Sequence, residues 1–388
     1  MDIYIVGTSR TPLGSLLGGL SQIPAPELGG LAIKEALLQA NVPPEKVDCI
    51  YFGNVLSSGV GQNPGKQASL AAGIPNTVPC TTINKVCCSS LKALTLAAQD
   101  ILLENARIAV AAGAENMSLA PHLLPKSRTG QKMGDFQVVD SMIKDGLWDA
   151  HYNLHMGALT DKLALKKGVS REEQDRYSIQ SYSRAKKATE IGAHKFFTVK
   201  LGRFECTKDE CIEKCIIEKV PKLRPCFITD ETGTITAANS SSISDGAAAI
   251  ILASGNIVKE LSLKPIAKLI SWADAGVDPA DFPLAPVFAS QKALKKAKLD
   301  KSQIDLWEVN EAFAAVPLLF KKEMNISEDI LNVLGGAVAL GHPLGCTGCR
   351  IVNTLISALE TKKKKIGVAT LCNGGGGATA LIIEMIEN

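Results

Sequence analysis

Apolar residues follow two different periods along this chain. A helical spacing of three and four positions predicts helices over residues 28–40, 67–72 and 91–102. Short and nearly continuous apolar runs predict buried strands over residues 3–6, 47–52 and 108–112, with a loop over residues 8–12 after the first strand. Strands that alternate with helices in this way indicate an α/β protein.

One segment combines reactive side chains with the start of a predicted helix. Cys87 and Cys88 end a short run, and the helical spacing begins at Leu91. A thiol at a helix start meets unpaired backbone N–H groups and the positive end of the helix dipole, which favour the thiolate. The pattern predicts a reactive cysteine, and the alternative is a pair of small buried side chains.

The final third of the chain repeats features of the first third. Residues 37–42 resemble residues 294–299, which lie 257 positions later, and residues 47–48 resemble residues 304–305 at the same offset. The same offset from the first of the two cysteines ends two residues past His342. A constant offset over several elements predicts two similar α/β halves.

Residues 119–246 have no clear period except over residues 171–189, which predict a charged helix. Ser170 and Glu173 have the spacing of a capping box at the start of that helix. Long segments inserted between core elements commonly carry binding sites. We therefore predict three domains, made of residues 1–118 with 247–267, residues 119–246, and residues 268–388.

The second half of the chain places further reactive residues beside glycines. His342 lies in a glycine-rich turn before a predicted helix, and Cys372 ends an apolar strand that four glycines follow. Such glycines bring backbone N–H groups close to a ligand, as in an oxyanion hole. Asn310 follows another predicted strand. A lone histidine is often structural, and a glycine run can bind phosphate, but no Gly-Lys-Ser or Gly-Lys-Thr follows this run.

Composition narrows the classes of protein and partner. Charged residues make up 21% and apolar residues 46% of 388 residues, which is typical of a soluble globular protein. A net charge of +3 is too small to indicate nucleic acid, although a local basic patch could hold a phosphate-bearing ligand. Eleven cysteines without a signal peptide indicate a reducing compartment, so we expect a cytoplasmic protein, or a mitochondrial-matrix protein if a leader was removed. No run has membrane length, and no membrane association is expected.

Four motifs together resemble the thiolase family. They are Asn84-Lys85-Val86-Cys87-Cys88-Ser89-Ser90, Asn310-Glu311-Ala312-Phe313, Gly341-His342-Pro343-Leu344-Gly345 and Cys372-Asn373-Gly374-Gly375-Gly376. They occur in the family's order, and the resemblance covers nearly the whole chain. A fifth motif, His155-Met156-Gly157, is similar to that of the short-chain biosynthetic members, the acetyl-CoA C-acetyltransferases, and other segments look most like eukaryotic members. The resemblance implies the thiolase fold, in which two similar α/β halves pack as a layered αβαβα core with a large inserted loop domain.

The resemblance also implies a reaction, the reversible Claisen condensation of two acetyl-CoA to acetoacetyl-CoA and CoA. Cys87 would carry the acetyl group, His342 would activate that thiol, and Cys372 would be the acid/base at the α-carbon. Asn310 would hold a water that completes the enolate oxyanion site with His342. The backbone N–H groups of Cys87 and Gly374 would surround the tetrahedral intermediate.

Positions similar to the family's ligand contacts are expected to bind coenzyme A as a substrate, and no tightly bound cofactor is expected. The acyl pocket and the pantetheine are assigned to Leu147, His155, Met156, Ala237, Ser241, Ala312 and Phe313, and the nucleotide to Arg224. A potassium ion is expected at Tyr182 and the backbone carbonyls of Ala237, Ala238, Ser240 and Val338. The resemblance also implies a homotetramer, with residues 119–146 as a contact.

Two other functions stay open. The first is a longer-chain 3-ketoacyl-CoA thiolase of fatty-acid β-oxidation, and the His155-Met156-Gly157 motif counts against it. The second is a non-catalytic carrier of acyl-CoA or lipid, which would be expected to have lost one of the reactive residues. A ketoacyl-carrier-protein synthase has a similar fold by analogy, but it uses one cysteine and two histidines.

Overall fold

The computed structural model describes residues 2–201 and 204–386, and they form three successive groups of elements. The first group is β1 (Ile3–Arg10), β2 (Gly14–Ser15), α1 (Ala25–Ala40), β3 (Cys49–Gly53), α2 (Pro64–Ala71), β4 (Cys80–Ile83), α3 (Ser89–Leu102) and β5 (Ile108–Asn116). The second group is β6 (His122–Leu123), β7 (Val139–Asp140), β8 (Trp148–Asp149), β9 (Leu154–His155), α4 (Met156–Lys167), α5 (Arg171–Glu190), β10 (Val199–Leu201) and β11 (Phe204–Cys206). The third group is β12 (Ser244–Ser254), α6 (Gly255–Glu260), β13 (Ala267–Gly276), α7 (Ala285–Ala297), β14 (Leu306–Val309), α8 (Ala315–Met324), α9 (Ala337–Leu340), α10 (Thr347–Lys362), β15 (Ile366–Asn373) and β16 (Gly377–Met385).

The main sheet is built from two equivalent halves. Its strand order is β14-β15-β16-β13-β1-β12-β5-β3-β4, with β2 paired to β12. Counted outward from the junction of β1 and β13, one half of the sheet contains β1, β12, β5 and β3 in that order. The other half contains the equivalent strands β13, β16, β15 and β14. In both sets of four strands the outermost pair is parallel and the inner pairs are antiparallel. The two halves join where Tyr4 pairs with Lys268 and Ile5 with Ala267. This topology confirms the repeat that the constant offset predicts.

Helices separate the two half-sheets and cover their outer faces. Along β12, Ala248 and Ile250 pack in one apolar cluster with α3 and α10, whereas Ala249 and Ile251 pack in another with α1 and α2. Side chains alternate in this way because successive residues of a strand point to opposite faces. A third cluster joins the outer face of the second half-sheet to α7 and α8. The layers are therefore α1/α2, half-sheet, α3/α10, half-sheet and α7/α8, which confirms the predicted αβαβα core.

The segment between the halves contains more regular structure than its sequence indicates. It includes α4, α5 and three short hairpins, β6–β7, β8–β9 and β10–β11. Ser170 caps α5, and its N–H in turn donates to the Glu173 carboxylate at 2.8 Å, so the predicted capping box is present. Strands of two or three residues give no periodic signal, which is why the sequence did not predict the hairpins. None of the helices in residues 2–201 and 204–386 has the length and apolarity needed to cross a lipid bilayer.

The predicted loop over residues 8–12 is wrong for its first three residues, because β1 continues through Arg10. Arg10 is only 1% exposed, and its guanidinium forms two hydrogen bonds with Asp209, at 2.7 and 2.8 Å. A buried arginine requires a charged partner. That partner lies 199 positions later in the chain, so no local pattern predicts it.

Candidate active site

Cys87 lies in a tight turn between β4 and α3. Val86 has φ = +49°, a left-handed conformation that a β-branched residue rarely adopts. Asn84 Oδ1 accepts the N–H of Val86 at 2.9 Å, and the hydroxyl of Ser89 donates to the Val86 carbonyl at 2.6 Å. Strain of this kind occurs at functional sites, where surrounding contacts hold it in place. The turn therefore fixes the direction of the Cys87 side chain.

The protonation state of Cys87 differs from the expectation based on the helix dipole. Burial raises the pKa of Cys87 to about 12, and the N–H groups of Gly374 and of Cys87 itself offset only part of this effect. The predicted effect of the backbone N–H groups is present, but burial outweighs it, so the pKa of Cys87 is raised and not lowered. The thiol is protonated at neutral pH and needs a base. The two N–H groups that act on the sulfur are also suitably placed donors for an oxyanion formed there.

A glycine-rich loop between α9 and α10 carries His342. Gly341 has φ = +106°, and a Cβ atom at this position would lie 2.1 Å from Ser244 Oγ, so only glycine fits. Beyond the histidine, the N–H of Gly345 donates to the buried carboxylate of Glu115 at 2.8 Å. Ser244 belongs to β12 and Glu115 to β5. The first half of the protein thus holds both ends of the loop that carries the histidine.

The hydrogen bonds of His342 determine its tautomer. Nδ1 lies 2.7 Å from Thr347 Oγ1, and the Thr347 hydroxyl donates to the Pro343 carbonyl at 2.8 Å. Both contacts are hydrogen bonds only if Nδ1 carries the imidazole proton, which leaves Nε2 as an acceptor. Burial lowers the pKa of His342 to about 3, and the charge of Arg350 contributes to this shift. His342 is therefore a neutral imidazole with a free lone pair on Nε2.

Cys372 lies near the end of β15 and is 1% exposed. Burial, and then the neighbouring Cys87, raise the pKa of Cys372 well above the usual value of a thiol. The glycines that follow turn the chain, since Gly375 and Gly376 have φ of +83° and +79°. This turn returns the N–H of Gly374 towards the Cys87 sulfur.

Ten of the predicted site residues line one small cavity of about 50 Å³. They are Cys87, Leu147, His155, Met156, Ser241, Ala312, Phe313, His342, Cys372 and Gly374. The lining also includes Gly146, Phe282, Leu344 and Asn373, which the sequence did not assign to the site. Leu344 and Asn373 lie inside two of the motifs, so their proximity to His342 and Cys372 was an available signal. Gly146 lies in a π-helical turn, and no motif or spacing in the sequence marked it as a site residue.

The ring of His155 packs against aromatic side chains that the sequence did not predict. Its Nδ1 accepts the N–H of Gly157 at 3.0 Å at the start of α4, and burial lowers the pKa of its imidazole. The ring stacks on Phe227, with centroids 4.4 Å apart, and Phe227 meets Phe313 edge-on at 6.2 Å. A Cβ atom at Gly157 would lie 2.2 Å from the Phe227 ring, which explains the glycine in this motif.

Three of the predicted catalytic and coenzyme A-binding residues are not among those that line the cavity within the described part of the chain. Asn310 follows β14, is 1% exposed, and accepts a hydrogen bond from Arg350 at 3.0 Å. Arg224 is an exposed side chain. Ala237 instead lines a second pocket, together with Tyr182 and Ala238.

Some of the residues predicted to hold potassium lie close together. Tyr182, Ala237 and Ala238 line the same pocket of about 250 Å³. Val338 packs with Tyr182 in one apolar cluster. Ser240 forms a β-bridge with Phe313, so this group adjoins the lining of the active-site cavity.

Comparison with known proteins agrees with this geometry. The family model for the thiolase N-terminal domain matches residues 3–256, and the model for the thiolase C-terminal domain matches residues 263–385. A cytosolic acetyl-CoA acetyltransferase of Gibberella zeae is 47% identical, over 99% of this chain and 98% of that protein. A mitochondrial acetyl-CoA acetyltransferase of Rattus norvegicus is 44% identical, over 99% of this chain and 91% of that protein. The crystal structure of Acat5 thiolase from Ascaris suum in complex with coenzyme A has a TM-score of 0.96 at 45% identity and covers all of both chains. The chain therefore belongs to the thiolase family.

Proposed function

We propose that this protein is an acetyl-CoA C-acetyltransferase, which condenses two acetyl-CoA to acetoacetyl-CoA and CoA and also runs the reverse cleavage. The observation that carries this proposal is the small cavity where two thiols, Cys87 and Cys372, meet the neutral imidazole of His342. The relatives named acetyl-CoA acetyltransferases, at 44–47% identity over nearly the whole chain, support the same activity. The catalytic roles of Cys87, His342 and Cys372 are part of the proposal, as are those of Asn310 and Gly374.

The first half-reaction transfers acetyl to Cys87. His342 Nε2 accepts the thiol proton, which is needed because burial keeps Cys87 protonated. The sulfur attacks the thioester carbonyl, and the N–H groups of Cys87 and Gly374 donate to the oxygen of the tetrahedral intermediate. The carbon–sulfur bond to CoA then breaks, and the CoA leaves as a thiolate that takes up a proton from solvent, so that His342 remains an imidazolium.

The second half-reaction forms the carbon–carbon bond. Burial and a negative charge on Cys87 would both raise the pKa of Cys372, and acetylation prevents such a charge on Cys87. Beside the His342 imidazolium, Cys372 gives its thiol proton to solvent and becomes a thiolate. Cys372 can then act as the base that takes an α-proton from the second acetyl-CoA. The enolate oxygen accepts from the Nε2–H of the His342 imidazolium and from a donor held by Asn310 while the carbon attacks the acetyl group. The Cys87 sulfur leaves as a thiolate and takes back the proton of His342, while Cys372 keeps the α-proton, so both thiols and the neutral imidazole are restored.

The size of the acyl substrate separates this function from that of a longer-chain thiolase. The cavity of about 50 Å³ is bounded by Leu147, Met156, Phe282 and Leu344, which supports a short acyl group. The test is CoA-dependent cleavage of acetoacetyl-CoA beside 3-ketohexanoyl-CoA and 2-methylacetoacetyl-CoA. We expect a strong preference for acetoacetyl-CoA. Preference for the six-carbon substrate would instead place the protein in fatty-acid breakdown.

A potassium site beside the pantetheine is the second part of the proposal. Backbone carbonyls suit a potassium ion, and Tyr182, Ala237 and Ala238 share one pocket. Lys214 and Lys219 line the same pocket, so we expect the ion to give only a modest activation. The measurement is the rate of acetoacetyl-CoA cleavage in potassium against sodium chloride at equal ionic strength. Equal rates in the two salts would remove potassium from the proposal.

A homotetramer with residues 119–146 as a contact is supported by exposed apolar side chains in that segment. Met133 is 89% exposed, Val138 60% and Phe136 53%. Exposed apolar groups that lie together commonly mark an interface. Light scattering of the wild type should give a tetramer, and Met133→Glu with Phe136→Glu should give a smaller species. A monomeric wild type would contradict this part.

The compartment proposed is the cytoplasm, with the mitochondrial matrix as the alternative. Relatives carry both "cytosolic" and "mitochondrial" in their names. All eleven cysteines are free thiols, as suits a reducing compartment. Microscopy of the tagged native protein decides between the two, and co-localisation with a mitochondrial marker would select the alternative.

A further inference from the structure

Arg350 is fully buried in α10 and contacts two side chains at the end of β14. Its Nη2 lies 3.0 Å from Asn310 Oδ1, and its Nη1 lies 3.4 Å from Glu308 Oε1. Glu308 and Asn310 are two positions apart, so both leave the extended chain on the same side. The planar guanidinium, with donors in a fixed geometry, can hold both side chains at once.

The guanidinium decides which way the Asn310 amide faces. An arginine only donates hydrogen bonds, so the amide atom in contact with it is the oxygen. Asn310 Nδ2 therefore faces the opposite direction, where it is buried and has no hydrogen-bond partner in residues 2–201 and 204–386. Buried donors without a partner are rare in folded proteins. The orientation of this amide thus leaves a donor available for a ligand.

Arg350 also acts on the second residue of the same oxyanion site. Its charge adds to the effect of burial in lowering the pKa of His342, so it helps to keep that imidazole neutral. Arg350 itself is not among the residues that line the active-site cavity in the described part of the chain. Any effect of this residue on catalysis must therefore pass through Asn310 or His342.

We propose that Arg350 is a positioning residue that orients the Asn310 amide, so that Nδ2 donates, directly or through a water, to the enolate oxygen in the condensation step. This inference rests on the proposed function. Acetyl transfer to Cys87 uses the N–H groups of Cys87 and Gly374 instead. The orientation of the Asn310 amide by Arg350 is therefore needed for the carbon–carbon bond step and for α-proton exchange, whereas acetylation depends only on the charge that Arg350 places near His342.

The test compares two half-reactions in Arg350→Lys. A lysine keeps a positive charge beside Glu308, but it has one compact ammonium group and cannot hold both partners. We expect kcat for acetoacetyl-CoA cleavage, and exchange of acetyl-CoA α-protons with deuterated water, to fall roughly 10- to 100-fold, as for a misdirected oxyanion donor. Single-turnover acetylation of Cys87, followed by mass spectrometry, should keep the wild-type rate. A folded Arg350→Lys that loses acetylation to the same extent would overturn the proposal.

Two further variants distinguish a positioning role of Arg350 from a purely structural role. Arg10→Lys alters another fully buried arginine, paired with Asp209 away from the cavity, and should leave the ratio of the two half-reactions unchanged. Adding Arg350→Lys to Asn310→Ala should cause no further loss, because the amide that Arg350 orients is already absent. Additive losses would contradict the proposal.

A folding control completes the design. If Arg350→Lys does not fold, the double variant Glu308→Gln with Arg350→Met removes both buried charges together, and in it α-proton exchange should fall by a larger factor than acetylation. Equal losses would overturn the proposal. A wild type that neither forms nor cleaves acetoacetyl-CoA would reject the proposed function itself. A wild type that does both, beside an Arg350→Lys with normal α-proton exchange, would reject only the role of Arg350.

Discussion

Thr347 Oγ1 lies 2.7 Å from His342 Nδ1, and this contact determines which nitrogen of the imidazole can accept a proton. The two residues are five positions apart, on the loop and at the start of α10. The Thr347 hydroxyl donates to the Pro343 carbonyl, so its oxygen accepts from Nδ1. The lone pair is then on Nε2, the nitrogen that our mechanism uses as the base.

Replacing this hydroxyl should impair the base without touching either cysteine. In Thr347→Val the Nδ1–H is buried without an acceptor, which costs about 1–3 kcal/mol of the free energy of unfolding. The other tautomer then competes, and we expect the rate of Cys87 acetylation to fall roughly 10- to 100-fold, within the range of general-base catalysis. Stopped-flow acetylation and thermal melting measure the two effects. Thr347→Ser keeps the hydroxyl and is the matched control, so an equal loss in both variants would contradict the assignment.

The two thiols should be separable by mutation. Cys372→Ala removes the proposed base at the α-carbon but leaves Cys87, His342 and the N–H of Gly374 in place. We expect condensation to be abolished while Cys87 still takes up acetyl from acetyl-CoA, as seen by the added mass on the tryptic peptide. Cys87→Ser supplies the unlabelled reference. Absence of label on Cys87 in Cys372→Ala would show that the roles are assigned wrongly.

The pH dependence of alkylation reports on the resting state of Cys87. Its pKa is raised to about 12 and that of His342 is lowered to about 3, so between pH 6 and 9 both groups are neutral. The thiolate fraction then grows about tenfold per pH unit, and the rate of iodoacetamide labelling should rise in proportion. Labelling of Cys87→Ser gives the background from the other thiols. A plateau between pH 6 and 9 would instead indicate a thiolate–imidazolium pair.

The loop that carries His342 should not tolerate a side chain at Gly341. An alanine would combine φ = +106° with a Cβ atom 2.1 Å from Ser244 Oγ, so the loop must move. We expect at least roughly 100-fold lower activity, since a small displacement of a catalytic group has this effect. Gly73 is the matched control, because its φ is +80° and, apart from its own chain neighbours, no atom of residues 2–201 and 204–386 lies within 4 Å of its Cβ position. Gly73→Ala should lose about 1–2 kcal/mol of stability from strain alone and keep its activity.

Much of the site could be predicted because each of its motifs is formed by residues that are close together in the sequence. The helix start after Cys87, the glycine turn before α10 and the strand that ends near Cys372 each depend on residues close together in sequence. The repeat at a fixed offset predicted two similar halves, and the sheet order confirms them. The domain boundaries and the role of each residue stay predictions.

Other features depend on residues that are distant in the sequence. Phe227 supports His155 from 72 positions away, and Asp209 neutralises Arg10 from 199 positions away. No period or motif connects such partners, because a period describes only one element at a time. The contact of His155 with Phe227 exists only after the inserted segment folds on itself, and that of Arg10 with Asp209 only after the segment packs on the core.

The sequence by itself determined the kinds of reactive group, their order and the α/β class, because these follow from residue type and short-range spacing. The tertiary structure decided which of those groups meet and in which protonation state. Cys87 shows the difference: its position at a helix start favours a thiolate, but burial, and then the neighbouring Cys88, raise its pKa to about 12. Desolvation depends on everything packed around a group, so it is set only when both halves close over the cavity.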